Sequence, residues 1–375
     1  MILKNCTFFN ELFEKELGDI KIENGKIAEI GYFNEEDYVD MSGKILLPGL
    51  IDIHIHGGNG GDASDNSPQS LNKIRAYLAK RGVTSFCPTT MTLPVERLCQ
   101  IAGTVADCAQ AGSQGGAKIA GINFEGPFIS LNKKGAQNGE YVIPGGKKDF
   151  DKLYAASKGL MKLITIAPEA FDSDEFIKYA SERVSVSIGH TCANARECQR
   201  AIDCGARHIT HLYNAMTPMT HREAGVVGTA FDNNVMCEII CDGEHVCPAV
   251  LRNTFKLLGE NRAVVISDSM RGAGLGNGEF ELGGQMTYVK NGYKVAKLAD
   301  GTIAASITNI FDELKNLIAF GIDFKSALKA CTINPARAIG MENEIGSISV
   351  GKWADLVVVD ENFELKEVYI NGTPA

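Results

Sequence analysis

The sequence is poor in the features that define several classes of protein. Its eleven cysteines are scattered and include no Cys-x-x-Cys pair, which disfavours a disulfide framework and predicts reduced thiols in a cytoplasmic protein. No run of about 18 apolar residues occurs, and charged residues interrupt the first segment of the chain. The sequence therefore predicts neither a membrane-spanning helix nor a secretory signal.

Clusters of positive charge are missing as well. The formal net charge is -9, and lysine and arginine never form a long run, so nucleic acid and anionic membranes are disfavoured as partners. Apolar residues, in contrast, make up 45% of the 375 residues, and charged residues make up 22%. This composition is typical of a globular protein with a large core, and the length is enough for an α/β barrel with a small extra domain.

Eight apolar, strand-like segments alternate with helical patterns through the middle of the chain. The strands are predicted to end near His56, Pro88, Glu125, Ala167, His190, His211, Cys241 and Asp268. Helices are predicted between them, including 67–80, 94–111, 193–204 and 248–258. This alternation predicts an α/β protein with a (β/α)8 TIM-type barrel. A Rossmann arrangement is disfavoured because the glycine-rich segment after the first strand opens no clear helix.

The two ends of the chain carry short alternating segments separated by turn signals such as Asn24-Gly25 and Asn371-Gly372. This pattern is typical of small antiparallel sheets. We predict that residues 1–47 and 348–375 together form a small β-sandwich domain, and that residues 48–347 form the catalytic barrel.

Two histidines alternate with isoleucines at the end of the first predicted barrel strand, in the order Ile53, His54, Ile55, His56. Side chains on a strand point alternately to opposite faces, so the two imidazoles share one face and the two isoleucines can pack under a helix on the other. Neutral imidazoles held in this way suit a divalent metal. An isolated pair of this kind is as often merely hydrogen-bonded and half-buried, so the other strand ends decide between the two interpretations.

Four further strands end in residues that can bind metal or transfer protons, namely Glu125, His190, His211 and Asp268. The active site of such a barrel forms at the carboxyl ends of the strands, so these residues should meet the histidine pair. Four imidazoles and a bridging carboxylate can hold two divalent metals and leave a position for water, whose pKa the metal lowers. Asp268 is then the expected general base and acid, unless it serves only as a ligand or helix cap.

Six ordered motifs give the chain a close resemblance to a known family. They are Phe124-Glu125-Gly126-Pro127-Phe128, Lys133-Lys134-Gly135-Ala136, Gly189-His190-Thr191, His211-Leu212-Tyr213-Asn214-Ala215-Met216, Cys241-Asp242-Gly243-Glu244-His245 and Ser267-Asp268-Ser269-Met270. Between about residues 47 and 355 the chain resembles the N-acetylglucosamine-6-phosphate deacetylases of the amidohydrolase superfamily. The resemblance implies hydrolysis of the acetamide of a 6-phosphorylated amino sugar to acetate and D-glucosamine 6-phosphate, in amino-sugar catabolism or recycling.

The resemblance also implies a metal centre. Glu125, His190 and His211 are the implied ligands of the principal ion, which is expected to be Zn²⁺ or Fe²⁺. Some family members lack the first-strand histidine pair and hold one metal, whereas this chain keeps His54 and His56. We therefore expect a second ion, with Glu125 bridging the two.

The implied substrate contacts are Ala136, Gln137, Asn214, Ala215, Arg222, Asp242, His245, Ile303, Ala304 and Ala305. In similar proteins the turn after His211 and the residue matching Arg222 hold the phosphate, a role that suits a permanently charged, forked guanidinium. Arg222 can alternatively belong to a surface ion pair. His245 resembles the family's sugar-phosphate contact, and His208 is expected to face away from the site. Family members are usually homodimers, and we expect a neighbouring chain near Arg222 or His245 to help close the pocket.

Two positions depart from the family pattern. Gln137 stands where many relatives have histidine, so a neutral amide replaces any imidazole contribution to binding the acetyl or sugar group. Ala305 stands where glycine is frequent, and its added methyl group predicts a tighter acyl pocket.

Other functions stay open at this point. Cyclic amidases of the superfamily use a carboxylated lysine at the end of the fourth strand, but here that strand ends Ile166-Ala167-Pro168-Glu169. Nucleobase deaminases do not explain the phosphate-type turn, and a non-catalytic sugar-phosphate sensor would be expected to have lost Asp268 or a metal ligand. An N-acetylgalactosamine-6-phosphate deacetylase acts on a substrate that differs in one hydroxyl, and the sequence does not separate the two epimers.

Overall fold

A barrel of eight parallel strands lies at the centre of the computed structural model, which describes residues 1–112, 115–290 and 294–375. The barrel strands are Leu50–Ile55, Val83–Thr90, Ile122–Glu125, Met161–Ile166, Ser185–Ile188, His208–Ile209, Met236–Ile239 and Ala263–Val265. Each pairs with the next in chain order. The backbone N–H of Asp268 donates to the carbonyl oxygen of His54 over 2.9 Å, which ties the end of the eighth strand to the first. The predicted (β/α)8 barrel and the positions of its strands are confirmed.

Helices connect the barrel strands and cover their outer face. They are Pro68–Ala79, Val95–Gln110, Lys147–Ala156, Asp174–Ser181, Ala195–Asp203, Gly225–Asp232, Pro248–Leu258, Ile310–Ala319, Phe324–Ala330 and Ile333–Ala338. The four helices predicted from the sequence are among them, each within two residues of its expected bounds. Local capping explains where they begin: the Ser67 hydroxyl accepts from the Ser70 backbone N–H, and Asn194 forms a capping box with Glu197.

One detail of the first strand differs from the prediction. Ile53 and Ile55 do not share a face, because Ile55 packs in the large cluster formed with the helices while Ile53 packs with Leu163 and Val264 in another cluster. The pairing of this strand shifts register between Asp52 and Ile55. Such an irregularity breaks the strict alternation of side chains.

Both ends of the chain contribute to one further sheet of eight strands. Its strands are Ile2–Phe9, Lys15–Glu23, Lys26–Gly31, Val39–Asp40, Ile45–Pro48, Leu356–Val359, Leu365–Ile370 and Thr373–Pro374. Leu46 pairs with Val358 across the junction between the two ends. This sheet has its own buried cluster, which includes Phe8, Ile20 and Tyr369. As predicted, the two ends of the chain therefore build β structure together, separate from the barrel sheet.

A four-stranded antiparallel sheet follows the eighth barrel strand, and the sequence analysis did not predict it. Its strands are Gly278–Leu282, Gln285–Val289, Val295–Lys297 and Ile303–Ser306. A bridge between Ser269 and Ser306 attaches its last strand to the barrel rim. The remaining short elements are the strands Gly57–Gly58, Gly61–Asp62 and Lys118–Ile119 and the 3-10 turns Ala63–Asp65, Leu131–Lys133, Gly139–Tyr141 and Gly259–Asn261. Among the described residues, no helix has the length and apolar character needed to cross a membrane.

Candidate active site

The Glu125 carboxylate is the meeting point of the four strand-end histidines. Its Oε1 atom lies 3.1 Å from Nε2 of His190, 3.0 Å from Nε2 of His211 and 3.3 Å from Nε2 of His54. Its Oε2 atom lies 3.2 Å from Nε2 of His56. All five side chains are buried. The structure thus brings together the residues that the sequence analysis proposed as metal ligands.

Asp268 completes the group from the eighth strand. Its Oδ1 atom lies 3.2 Å from Nε2 of His56 and 3.7 Å from Nε2 of His54. Its backbone is held on both sides, because its N–H donates to His54 and its carbonyl oxygen accepts from the N–H of Ser306, each over 2.9 Å. The carboxylate also borders the open cavity described below. Asp268 is therefore placed between the histidines and the space available to a substrate.

Three of these residues have an unusual backbone. The φ angles of His190, His211 and Asp268 are 47°, 28° and 46°, in the left-handed region that residues with a Cβ rarely occupy. Each lies two or three residues beyond the end of a barrel strand, so the turn aims the side chain at the barrel mouth. Gly189 permits one of these turns, because a Cβ at this position would lie 2.6 Å from Cβ of Thr210. Backbone strain of this kind concentrates at functional sites.

The donor atoms fit divalent cations. Nε2 of His190 and Nε2 of His211 lie 3.0 Å apart while both face Glu125, and Nε2 of His54 is buried without a hydrogen-bond partner among the described residues. Two groups of three ligand atoms result, His54 with His56 and Glu125, and Glu125 with His190 and His211. Imidazole nitrogen and carboxylate oxygen are preferred ligands of Zn²⁺ and Fe²⁺. The arrangement can hold two ions that share Glu125.

Electrostatics keep the two carboxylates of the site ionised. Burial raises the pKa of Glu125, but the charges of His54 and His190 outweigh it and hold the pKa well below its ordinary value. The pKa of Asp268 is likewise lowered, since His54 and His56 more than offset burial. The same carboxylates raise the pKa of His56 to about 10 despite its burial. A bound cation takes the place of such imidazole protons, because metal ligands must be deprotonated.

Besides the four histidines, Gln137 also contacts the carboxylate of Glu125. Its side-chain amide donates to Oε2 of Glu125 over 2.6 Å, and its Oε1 accepts from the backbone N–H of Thr92, also over 2.6 Å. Gln137 borders the cavity as predicted for a substrate contact. The structure adds a contact that the sequence analysis did not foresee, the hydrogen bond to a candidate metal ligand.

Glu238 was not predicted from the sequence, and it contacts the candidate ligand His54 on the side away from Glu125. Its Oε2 atom accepts from Nδ1 of His54 over 2.9 Å, and its Oε1 atom is 3.0 Å from Nε2 of His208. Burial raises the pKa of Glu238, but the two histidines lower it to about 2. The available signal was a lone acidic residue inside the apolar strand Met236–Ile239, since a fully buried carboxylate is almost always paired.

A cavity of about 330 Å³ opens over these residues. Of the predicted substrate contacts, those that line it are Ala136, Gln137, Asn214, Ala215, His245, Ile303 and Ala304. Asp242 lies behind the wall, where its Oδ2 accepts from Nδ1 of His245 over 2.6 Å. Ala305 is buried in a cluster with Met91 and Met270, and its neighbour Ala304 faces the cavity.

Arg222 stands apart from the other predicted contacts. It is exposed, it does not line the cavity of its own chain, and its guanidinium forms no ion pair within the described parts of the chain. His208, in contrast, is fully buried. It contacts Glu238 instead of Glu125, as expected for a residue outside the metal-ligand group.

A barrel whose strand ends gather four histidines and two carboxylates defines a metal-dependent hydrolase of the amidohydrolase type. Residues 45–375 match the Amidohydrolase family, and the chain belongs to that family.

Individual relatives narrow the class. The chain is 35% identical over 375 residues to the N-acetylglucosamine-6-phosphate deacetylase of Bacillus subtilis (strain 168), covering 97% of this chain and 94% of that protein. It is 31% identical over 356 residues to the N-acetylgalactosamine-6-phosphate deacetylase of Escherichia coli O157:H7, covering 94% and 93%. A solved mutant of the Mycobacterium smegmatis N-acetyl-D-glucosamine-6-phosphate deacetylase, in complex with N-acetyl-D-glucosamine-6-phosphate, superimposes with a TM-score of 0.93 at 28% identity, covering 100% of this chain and 98% of that one. The family resemblance predicted from the motifs is confirmed.

Proposed function

We propose that this protein removes the acetyl group from N-acetyl-D-glucosamine 6-phosphate, giving D-glucosamine 6-phosphate and acetate. The observation that carries the proposal is the position of Asp268, whose carboxylate borders a substrate-sized cavity 3.2 Å from His56, within the histidine group around Glu125. The near full-length similarity to the Bacillus subtilis deacetylase supports the choice of substrate. The reaction belongs to amino-sugar catabolism or recycling, and the expected compartment is the cytoplasm.

The metal centre uses the two ligand groups described above. Glu125, His190 and His211 would hold the principal ion, and His54 and His56 together with Glu125 would hold a second ion. When bound, a divalent ion such as Zn²⁺ or Fe²⁺ lowers the pKa of a water molecule and polarises the acetamide carbonyl.

Asp268 moves the proton in the proposed reaction. Its lowered pKa keeps it ionised at neutral pH, so its carboxylate accepts a proton from the attacking water and then delivers that proton to the departing amino group of the sugar. The two backbone hydrogen bonds described above fix its position, which limits the loss of orientation that would slow such a transfer.

The cavity wall divides into regions that suit different parts of the substrate. Asn214, Ala215 and His245 form the phosphate side, and Ile303 and Ala304 form an apolar side for the acetyl methyl group. Ala136 and Gln137 line the same cavity. In this proposal Asp242 orients His245 through the 2.6 Å hydrogen bond, so that the imidazole presents its other nitrogen to the substrate.

Arg222 completes the phosphate site from a neighbouring chain in a homodimer. Its exposure and its position outside the cavity of its own chain support this arrangement. Size-exclusion chromatography with light scattering gives the oligomeric state of wild type and Arg222→Ala, and an acetate-release assay gives their KM values. We expect a dimer in both cases and a raised KM for the variant. An active wild-type monomer contradicts the arrangement.

We also propose that residues 48–347 form the catalytic domain and that residues 1–47 with 348–375 form the small β domain. The pairing of Ile45–Pro48 with Leu356–Val359 supports this division. Limited proteolysis with mass spectrometry checks it, since the first cut is expected near the exposed Val350, at the second boundary, while the first boundary is buried.

A second candidate substrate is N-acetylgalactosamine 6-phosphate, and the 31% identity to the Escherichia coli deacetylase favours keeping it. Acetate release by the Zn²⁺-loaded protein from this sugar, from its glucosamine epimer and from unphosphorylated N-acetylglucosamine separates the candidates. Activity limited to the phosphorylated glucosamine sugar supports the proposal. A preference for the galactosamine epimer keeps the mechanism and changes the substrate, while a metal-loaded protein inert on all three excludes both.

A further inference from the structure

Glu238 forms hydrogen bonds with the imidazoles of His54 and His208 and with the backbone of His211. Its Oε2 atom accepts from Nδ1 of His54 over 2.9 Å and from the backbone N–H of His211 over 3.2 Å. Its Oε1 atom accepts from Nε2 of His208 over 3.0 Å. Glu238 and His54 are both fully buried. A buried carboxylate with three donors of this kind holds its partners firmly, because none of them can exchange to water.

The contact to His54 fixes the tautomer of that imidazole. A ring nitrogen that donates to a carboxylate carries the proton, so the other nitrogen keeps its lone pair for a metal. Here the donating atom is Nδ1, and Nε2 faces Glu125. The carboxylate also makes the ring more basic, which strengthens its bond to a cation.

The other candidate ligands lack this support. Nδ1 of His56 meets the carbonyl oxygen of Thr89 at 3.2 Å, and Nδ1 of His190 meets that of Lys133 at 2.8 Å. Nδ1 of His211 is buried without a hydrogen-bond partner among the described residues. The Nδ1 atom of His54 therefore contacts a carboxylate, whereas the Nδ1 atoms of the other three candidate histidine ligands contact a carbonyl oxygen or have no partner among the described residues.

We propose that Glu238 is a positioning residue that makes the His54, His56 and Glu125 group able to bind the second cation, with His208 holding Glu238 in place. The inference rests on the proposed metal centre. Its expected effect is selective, because the side chain of Glu238 contacts one imidazole of that group and only the backbone of His211 in the other group.

Metal stoichiometry and affinity, measured without substrate, test the inference. Zn²⁺ is titrated into chelator-treated protein in a competing chelator, and bound metal is counted by mass spectrometry for wild type and Glu238→Gln. The matched control is Asp355→Asn, another buried carboxylate, which pairs with Lys118 and contacts none of the candidate ligands. Circular dichroism melts of the metal-free proteins show whether each variant is folded.

We expect wild type and Asp355→Asn to bind two ions per chain. Glu238→Gln should bind the weaker of the two ions about 10- to 100-fold less tightly, which is the usual effect of removing a carboxylate that hydrogen-bonds to a metal ligand. The affinity for the tighter ion should not change. If Glu238→Gln does not fold, Glu238→Asp keeps the charge but draws it back from His54, and the same selective loss is expected. In a His54→Gln background the Glu238 substitution should have no further effect.

Three results would overturn the inference. They are a wild-type protein that saturates at one ion, a Glu238 variant that binds both ions as tightly as wild type, and a folded variant that loses both ions equally. Failure of the proposed function is distinguishable, since a protein inert on every amino-sugar phosphate can still show the selective loss of one ion.

Discussion

Gln137 donates its side-chain amide to Oε2 of Glu125 over 2.6 Å, and Glu125 belongs to both groups of candidate metal ligands. The amide supplies a donor to Glu125 and an acceptor to Thr92 at once. Its position therefore links the substrate cavity to the metal centre.

Replacing Gln137 by leucine should destabilise the protein. The change leaves the Thr92 N–H without its buried acceptor and removes one donor to Glu125, which costs about 1–3 kcal/mol. Urea unfolding of the metal-loaded protein measures the difference, with the exposed Gln100→Leu as control, where a change below about 0.5 kcal/mol is expected. Equal midpoints for wild type and Gln137→Leu would show that the amide contributes nothing to the folded site.

Replacing Asp268 by asparagine should remove proton transfer and leave the site in place. We expect kcat for acetate release to fall by about 10²- to 10⁴-fold, because the amide cannot accept and return a proton. Bound metal and the thermal midpoint should stay near wild type, and the exposed Asp37→Asn serves as control. A kcat within tenfold of wild type would assign the proton transfer to another group.

Asp242 should stabilise the protein in a pH-dependent way. Burial raises its pKa, but the hydrogen bond and charge of His245 and two backbone N–H groups outweigh burial, so the folded-state pKa lies below the ordinary value. The stabilisation is therefore complete above the ordinary aspartate pKa of about 3.9 and is lost as the pH falls toward the folded-state pKa. We expect Asp242→Asn to be about 2 kcal/mol less stable at pH 7.

Urea unfolding of Asp242→Asn and wild type between pH 7 and acid conditions measures this difference. The gap in unfolding free energy should stay constant from pH 7 to about pH 5 and then narrow. A gap that widens in acid contradicts the assignment.

The acyl pocket should discriminate against longer acyl groups. Ala305 is buried in one cluster with Met91 and Met270, and Met91 lines the cavity together with Ala304. We expect the N-propionyl analogue to react about 10-fold more slowly than the N-acetyl sugar phosphate, the usual effect of one excess methylene group in a fitted pocket. Ala305→Gly should reduce that ratio, as measured by competing kcat/KM values. Equal rates for both acyl groups on the wild type disprove a tight pocket.

The sequence predicted the barrel well for a physical reason. Buried parallel strands are apolar along their whole length, so a polar residue such as Glu125 or His190 at the end of such a run marks both the strand and the rim. Glu238 escaped notice because it lies inside a strand, where nothing in the sequence tells which distant histidines would pair with it. The packing of Ile53 on a different face from Ile55 was not predicted, because a register shift depends on the neighbouring strand.

The four-stranded sheet between Gly278 and Ser306 was also missed. Its strands are three to five residues long, and the first two mix polar and apolar residues on either side of Gly283 and Gly284. Such short segments resemble loops in the sequence, since apolar residues such as Leu282 are buried by contacts with residues distant in the chain, such as Met91. Ala304, on its last strand, contributes to the cavity wall through that packing.

The sheet that contains both ends of the chain can form only late in synthesis. Ile45–Pro48 is hydrogen-bonded to Leu356–Val359, so a strand that the ribosome makes early must wait for one that it makes much later. During that interval the edge of Ile45–Pro48 is open, and exposed strand edges favour pairing with other chains. Synthesis of Leu356–Val359 is therefore the event that closes this edge, and a chain truncated before residue 356 would leave the edge exposed.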